Sequence, residues 1–273
     1  MRTPRPALVL LLYVLIPTCL LAQQTPSTAV STSSTPVRDP QAVALVQQSL
    51  TAMGGTAVGA ILNAQVQGTL TPTASSDVPS GNFTWLDDFS GASFEFRDEV
   101  DTTDAVRVEV SGHGSPAVQQ GTTINPLRSH VTYTALPYHL PAVLLSREMA
   151  NGKYSIHMAG PVTVEARPAL QVIINSDAGT LDKYLSEQHW DFDAASGLPL
   201  RIEYRLPNVY YSDQWVQAAV EFSNYKVVSG LAVPFQVTFF EDSKAVAAAT
   251  ISSVTFNVGT SSSQFDLLTG GAQ

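Results

Sequence analysis

The sequence predicts an α+β domain: a single curved antiparallel β-sheet of about nine to eleven strands, with two or three helices on its concave face. Three observations lead there. Residues 40–53 repeat apolar side chains at helical spacing, whereas most of the chain from residue 62 onward repeats them at every second position. The segments between these runs are rich in Gly, Asn, Asp, Ser and Pro, as hairpin turns are. Each run also keeps one polar face, which argues for antiparallel pairing, because parallel sheets usually bury both faces.

The first element is an amphipathic helix. Asp39 is a good N-cap, Pro40 suits the first helical position, and Val43, Val46, Leu50 and Met53 form the apolar stripe before Gly54-Gly55 stops it. Strand patterning follows. Leu62, Ala64, Val66, Gly68 and Leu70 alternate with polar residues, as do Phe83 and Trp85, Phe94 and Phe96, and Val106, Val108 and Val110. Residues 139–152 break the alternation. Pro141 starts a second helix with Leu140, Val143, Leu144 and Met149 on its apolar side, and Asn151-Gly152 ends it. Strands resume at 154–156 and 170–174, and a short helix or turn covers Leu181 to Ser186. The last third is a meander of hairpins through 189–193, 200–206, 216–222, 235–239 and 247–256. A sheet of this length must twist and curl, so its apolar face becomes concave, and the apolar helices belong inside it.

The N-terminus reads as an export signal. Arg2 and Arg5 precede an apolar run from Ala7 to Ile16, and cleavage near Ala22 defines residues 1–22 as a signal peptide. Two lesser alternatives are an uncleaved N-terminal anchor and a lipoprotein attached at Cys19, where the preceding Ile16-Pro17-Thr18 fits poorly. Cys19 is the only cysteine, so a mature chain would contain no thiol and no disulfide. Residues 23–38 are Ser, Thr and Pro with few apolar anchors, the composition of a flexible linker. Residues 39–273 then form the domain. No later stretch is apolar enough to span a bilayer, which places the mature protein in the periplasm or outside the cell. A net charge of −9 with scattered basic residues excludes nucleic acid as a partner.

Two strings near the C-terminus carry a family resemblance. Residues 190–199 (WDFDAASGLP) and 222–234 (FSNYKVVSGLAVP) are similar to consecutive hairpins of the outer-membrane lipoprotein-sorting, LolA-like family. The helix ending in Ala52-Met53-Gly54-Gly55 resembles the opening of secreted bacterial members. The order of elements matches over residues 39–267, and the detailed similarity covers about 25 residues of turn motif, which specify a framework more than an activity. The resemblance implies an unclosed half-barrel with helices as a lid over an apolar cavity, binding acyl chains or other lipids. The family's lid-controlling arginine is not assigned to Arg97 or Arg107, and no functional residue is carried over.

Candidate chemistry is sparse. Gly112-His113-Gly114-Ser115-Pro116 lacks the glycine spacing of a nucleophile elbow and reads as a turn. The acidic run Asp98 to Asp104 lacks the glycine and closing glutamate of a calcium loop and reads as a solvated turn, and Asp87-Asp88 as a loop. His113, His130, His139, His157 and His189 show no metal-ligand spacing. No cofactor and no catalytic constellation is implied. Phe83, Trp85, Phe94 and Phe96 fall on neighbouring strands and, with Leu140 and Leu144 of the second helix, are the candidate lining of a ligand cavity; core packing is the alternative for some of them. The expected function is an exported, non-catalytic carrier or sensor of an apolar ligand, a lipid or acyl chain. The alternative is a ligand-free envelope scaffold that binds another protein.

Overall fold

Asp39 caps the first helix as its residue type predicts: its carboxylate accepts from the Gln41 amide at 2.8 Å, and Pro40 occupies the first turn of α1 (Pro40–Met53). The buried stripe is Ala42, Leu45, Val46, Ser49 and Met53, rotated from the predicted Val43–Val46–Leu50–Met53 stripe. Small side chains at 42 and 49 let the helix sit close to its neighbours, and Val43 and Leu50 pack at the margin. Gly54, at φ 139°, ends the helix in a conformation that favours glycine. This computed structural model describes residues 35–268 except 74, 75, 77, 92, 113, 114, 128–135 and 208–214. The expected signal peptide with Cys19 and Ala22, most of the expected linker at 23–38, His113, Gly114 and His130 lie outside the described residues.

A two-turn 3₁₀ segment (Gly55–Ala60) leads into β1 (Asn63–Pro72), β2 (Gly81–Asp88), β3 (Glu95–Asp101), β4 (Val106–Ser111), β5 (Ala117–Gln120) and β6 (Thr123–Pro126). Then come α2 (Pro141–Ala150), β7 (Tyr154–Val164), β8 (Arg167–Ser176), α3 (Thr180–Ser186) and β9 (Gln188–Asp193). The chain finishes with β10 (Pro199–Pro207), β11 (Trp215–Val228), β12 (Leu231–Glu241), β13 (Lys244–Phe256) and a 3₁₀ turn, Ser262–Phe265. All the strands belong to one sheet in the order β6-β5-β4-β3-β2-β1-β13-β12-β11-β10-β9-β8-β7. Every described neighbouring pair is antiparallel, and the sheet does not close into a barrel. It is an unclosed α+β half-barrel with thirteen strands among the described residues, rather than nine to eleven. The two additional strands, β5 and β6, are four residues each, too short to display a period, and turn about Gly121 at φ 57°.

Two meanders meet at one seam. The first runs outward from β1 to β6, and the second returns from β7 to β13, where Val66 pairs with Val254 of the last strand. Directly paired residues share a face, so the inner row can be followed across the sheet. It runs through Val100, Phe83, Val66, Val254, Val237, Phe222, Val220, Ile202, Trp190, Val172, Ile174 and Ile156. Helices α1 and α2 pack on this face within the same core, while α3 packs by the end of β8, with its Tyr184 ring under the guanidinium of outward-facing Arg205.

The first arm departs from a simple apolar-in pattern. Val100 and Asp98 of β3 pair with Arg107 and Glu109, so the inner face of β4 is charged. Val108 and Val110 instead point outward, where they cluster with Ala117 beneath Leu267. The C-terminal segment supplies that cover, with Phe265 buried against the backbone of Gly112. At the other edge, residues 37–39 lie along β7: the Ile156 amide donates to Val37 O, and the Asp39 amide donates to Ile156 O.

Candidate functional site

Pro141 starts α2, and Val143, Leu144, Leu145 and Glu148 lie on its buried side at helical spacing. Glu148 therefore enters the core, only 2% exposed. The last turn is tied down from two sides, by Arg38 donating to Met149 O at 2.7 Å and Arg147 donating to Ile61 O at 3.2 Å. Over this end of the helix opens a cleft of about 1020 Å³ between the two arms of the sheet. Phe89, Phe94 and Glu95, around the β2–β3 connection, stand on one side; Lys153, Tyr154 and Asp182 stand on the other, with Leu136, Glu148 and Ala150 also on its wall. The lining is mixed: Phe89, Phe94, Leu136 and Tyr154 supply apolar surface, while polar and charged residues make up more than half of the wall, so the cleft is more polar than an ordinary small-molecule site.

Glu148 is the chemically unusual member. Its Oε1 accepts from Gln188 Nε2 at 2.6 Å, and Gln188 Oε1 accepts in turn from the indole of Trp190 at 2.9 Å. Oε2 is buried without a partner among the described residues. Burial pushes this carboxyl up to about 8, outweighing the opposing hydrogen bond from Gln188. Burial likewise raises the neighbouring Tyr138 and Tyr154 hydroxyls well above their ordinary values.

A second polar cluster lies on the inner face of the first arm. His139 stands 2.8 Å from buried Asp87, and its ring is 4.5 Å from that of Trp85. The Trp85 indole donates to Asp98 at 2.9 Å. Burial, and then the nearby Glu109 charge, raises Asp98 to about 6, against the pull of Arg107. Asp87, Asp88 and Asp98 are thus strand residues with partners, not the solvated loop residues the sequence suggested. Among the described residues no group of three or more His, Cys, Asp or Glu side chains is placed to hold a metal.

Of the six residues singled out by sequence, Phe94 lies on the cleft wall. Phe83 and Trp85 stack at 3.9 Å in the core, and Trp85 reaches His139, the residue before Leu140. Leu140, the N-cap of α2, and Leu144, in its first turn and a half, are buried in the core, and Phe96 is half-buried on the same face of β3 as Asp98. The structure therefore joins the early aromatics to the second helix, though mostly under the cleft rather than along it. Glu148 and Gln188 were not anticipated. The signal was present in both: Glu148 falls three and four residues after Leu145 and Leu144, and Gln188 shares its strand face with Trp190 and Phe192.

An open antiparallel half-barrel with helices inside it and a cleft between its arms is the LolA-like fold, and this chain has it. It is similar over 83% of its length to a DUF1329 family protein from Desulfovibrio piger, at 13% identity, TM-score 0.55 and 97% of that chain. A putative outer membrane lipoprotein-sorting protein domain from Vibrio parahaemolyticus matches at 10% identity and TM-score 0.54, over 83% of this chain and 96% of that one. A LolA superfamily protein from Nitrosomonas europaea matches at 10% identity and TM-score 0.51, over 82% and 97%. No family profile matches the sequence, and no curated protein does. At these identities the likeness is one of fold.

Proposed function

We propose that this chain is an exported, non-catalytic carrier or sensor that holds a long acyl chain in the cleft above α2. One observation carries the reading: a cleft of about 1020 Å³, with Phe89, Phe94 and Leu136 on its wall, opens between the arms of a LolA-like half-barrel. That volume is at the upper end of the range for small-molecule sites. The similarity to a lipoprotein-sorting domain supports a lipid as the ligand class. Phe94 meets the chain, and Phe83, Trp85, Phe96, Leu140 and Leu144 support the wall behind it. Residues 1–22 direct export, and residues 23–38 tether the domain.

Delipidated protein titrated with fatty acids of increasing length, followed by tryptophan fluorescence, tests the proposal. Each buried methylene contributes roughly 0.8 kcal/mol, so affinity is expected to rise about fourfold per carbon until the cleft is filled. Phe94→Asp, at a half-buried position, is expected to weaken binding at least about tenfold while leaving the fold intact. If a sixteen-carbon chain fails to bind the folded protein below about 100 µM, the carrier reading fails and the scaffold reading replaces it.

A further inference from the structure

The polar chain under the cleft has a direction. An indole nitrogen only donates, so the atom of Gln188 that meets Trp190 at 2.9 Å is its carbonyl oxygen. The other half of that amide, Nε2, then faces Glu148 Oε1 at 2.6 Å. An amide nitrogen also only donates, so Oε1 of Glu148 accepts and carries no proton. The proton of the neutral acid is therefore on Oε2. That oxygen is buried without a partner among the described residues, in a residue that is 2% exposed and borders the cleft, so donating into the cleft requires the side chain to turn toward it. A buried donor without an acceptor is rare in folded proteins, because nothing replaces the water it gave up.

We propose that Glu148 Oε2 donates a hydrogen bond to the carbonyl oxygen of an acyl ester bound in the cleft. This rests on the acyl-carrier reading and adds the polar end of the ligand. A neutral carbonyl satisfies the donor without bringing a negative charge into a wall that already holds Glu95 and Asp182. The groups around Glu148 are consistent with a neutral acid. Tyr138, ahead of α2, and Tyr154, on β7, are both raised by burial and stay protonated. Arg38 and Arg147 are bound to the Met149 and Ile61 carbonyls. Lys153, Asp182 and Glu95 complete the charged groups on the cleft walls. With burial holding its carboxyl up to about 8, Glu148 is a donor at neutral pH and loses that role in alkali.

The test compares 1-hexadecanoylglycerol with 1-O-hexadecylglycerol, which has the same chain length but no carbonyl. Both are titrated into the full mature protein by calorimetry at about pH 6.5 and about pH 9.5, either side of the Glu148 transition. The ester is expected to bind about tenfold more tightly at the lower pH, the worth of one well-made hydrogen bond. Wild type is expected to lose the preference at the higher pH. Glu148→Gln, which keeps a donor at that place and cannot ionise, is expected to retain it at both, and Glu148→Leu to abolish it. Should Glu148→Leu not fold, the wild-type pH comparison and Glu148→Gln decide. Equal affinity for ester and ether in wild type at the lower pH overturns the inference while leaving the acyl-carrier reading intact. An ester preference that persists in Glu148→Leu or at the higher pH also overturns it. Failure of both ligands to bind overturns the inference together with the reading beneath it.

Discussion

His139 Nε2 stands 2.8 Å from Asp87 Oδ2 and ties the entrance of α2 to β2 across 52 residues of sequence. Asp87 is 2% exposed, so losing one partner leaves the other buried and unsatisfied. Asp87→Ala is expected to destabilise the protein by about 1.5–3 kcal/mol. The urea midpoint should fall with an unchanged slope. Asp87→Asn, which keeps a hydrogen-bonding group, should lose less. A midpoint for Asp87→Ala indistinguishable from wild type would show that the contact is incidental.

Glu148 makes stability depend on pH in a stated direction. Its folded value of about 8 lies above the ordinary 4.5, so between these the folded state holds a proton that the unfolded chain has released. Raising the pH through this window therefore favours unfolding, by up to about 1.4 kcal/mol per pH unit. The contribution is absent below the unfolded value and complete above the folded one. Glu148→Gln keeps the acceptor for Gln188 and removes the titration. The difference in melting temperature between variant and wild type should widen from about pH 5 to about pH 8 in favour of the variant. A constant difference across that range would show that Glu148 is charged in the folded protein.

Gly68 sits where the register of β1 against β13 shifts, under the ring of Phe83. A methyl group there would collide with the Thr250 carbonyl and come within 2.7 Å of Phe83 Cζ. Gly68→Ala is expected to cost about 1–3 kcal/mol through overpacking, although alanine suits extended backbone better than glycine does. Thermal melts compare the two directly; a variant as stable as wild type would mean that the seam relaxes freely.

Phe265 is fully buried, although it belongs to a one-turn segment near the C-terminus. Phe265→Ala is expected to destabilise by about 3–5 kcal/mol. Hydrogen exchange should show the loss concentrated in β3, β4 and β5, next to the outward valines, with β9–β12 little affected. Uniform loss of protection across the sheet would argue against a local role.

The hairpin framework was the most legible part of the sequence. The 190–199 motif works because Asp193 accepts from the amides of Ala195 and Ser196 while Gly197 adopts φ 74°, all within a few residues. Its partner string is explained by Tyr225, whose hydroxyl donates to Pro199 O, and by a turn in which Ser229 and Gly230 both have positive φ. The turn chemistry is local, so spacing reveals it, whereas the Tyr225–Pro199 bond spans 26 residues and follows from the pairing of the two hairpins. The pairs His139–Asp87 and Glu148–Gln188 are not local, at 52 and 40 residues apart, and a lone polar residue in an alternating pattern is ordinarily assigned to solvent. The outward row of Val108 and Val110 was hidden for a related reason. Alternation shows that a strand has two faces, but the cover over the outer one comes from Leu267, far along the chain.

The seam between β1 and β13 also constrains when the sheet can form. Its two strands are separated by nearly the whole domain, with Val66 facing Val254, so the centre of the sheet is built from the highest-contact-order pairing in the fold. Each meander can zip up hairpin by hairpin, but neither can be joined to the other until residues 244–256 have emerged. A chain still attached to the ribosome therefore holds two unjoined half-sheets, each with an unpaired edge strand. Late assembly of this kind is slow, because a loop of nearly the whole sheet must close before the contacts of the seam can form.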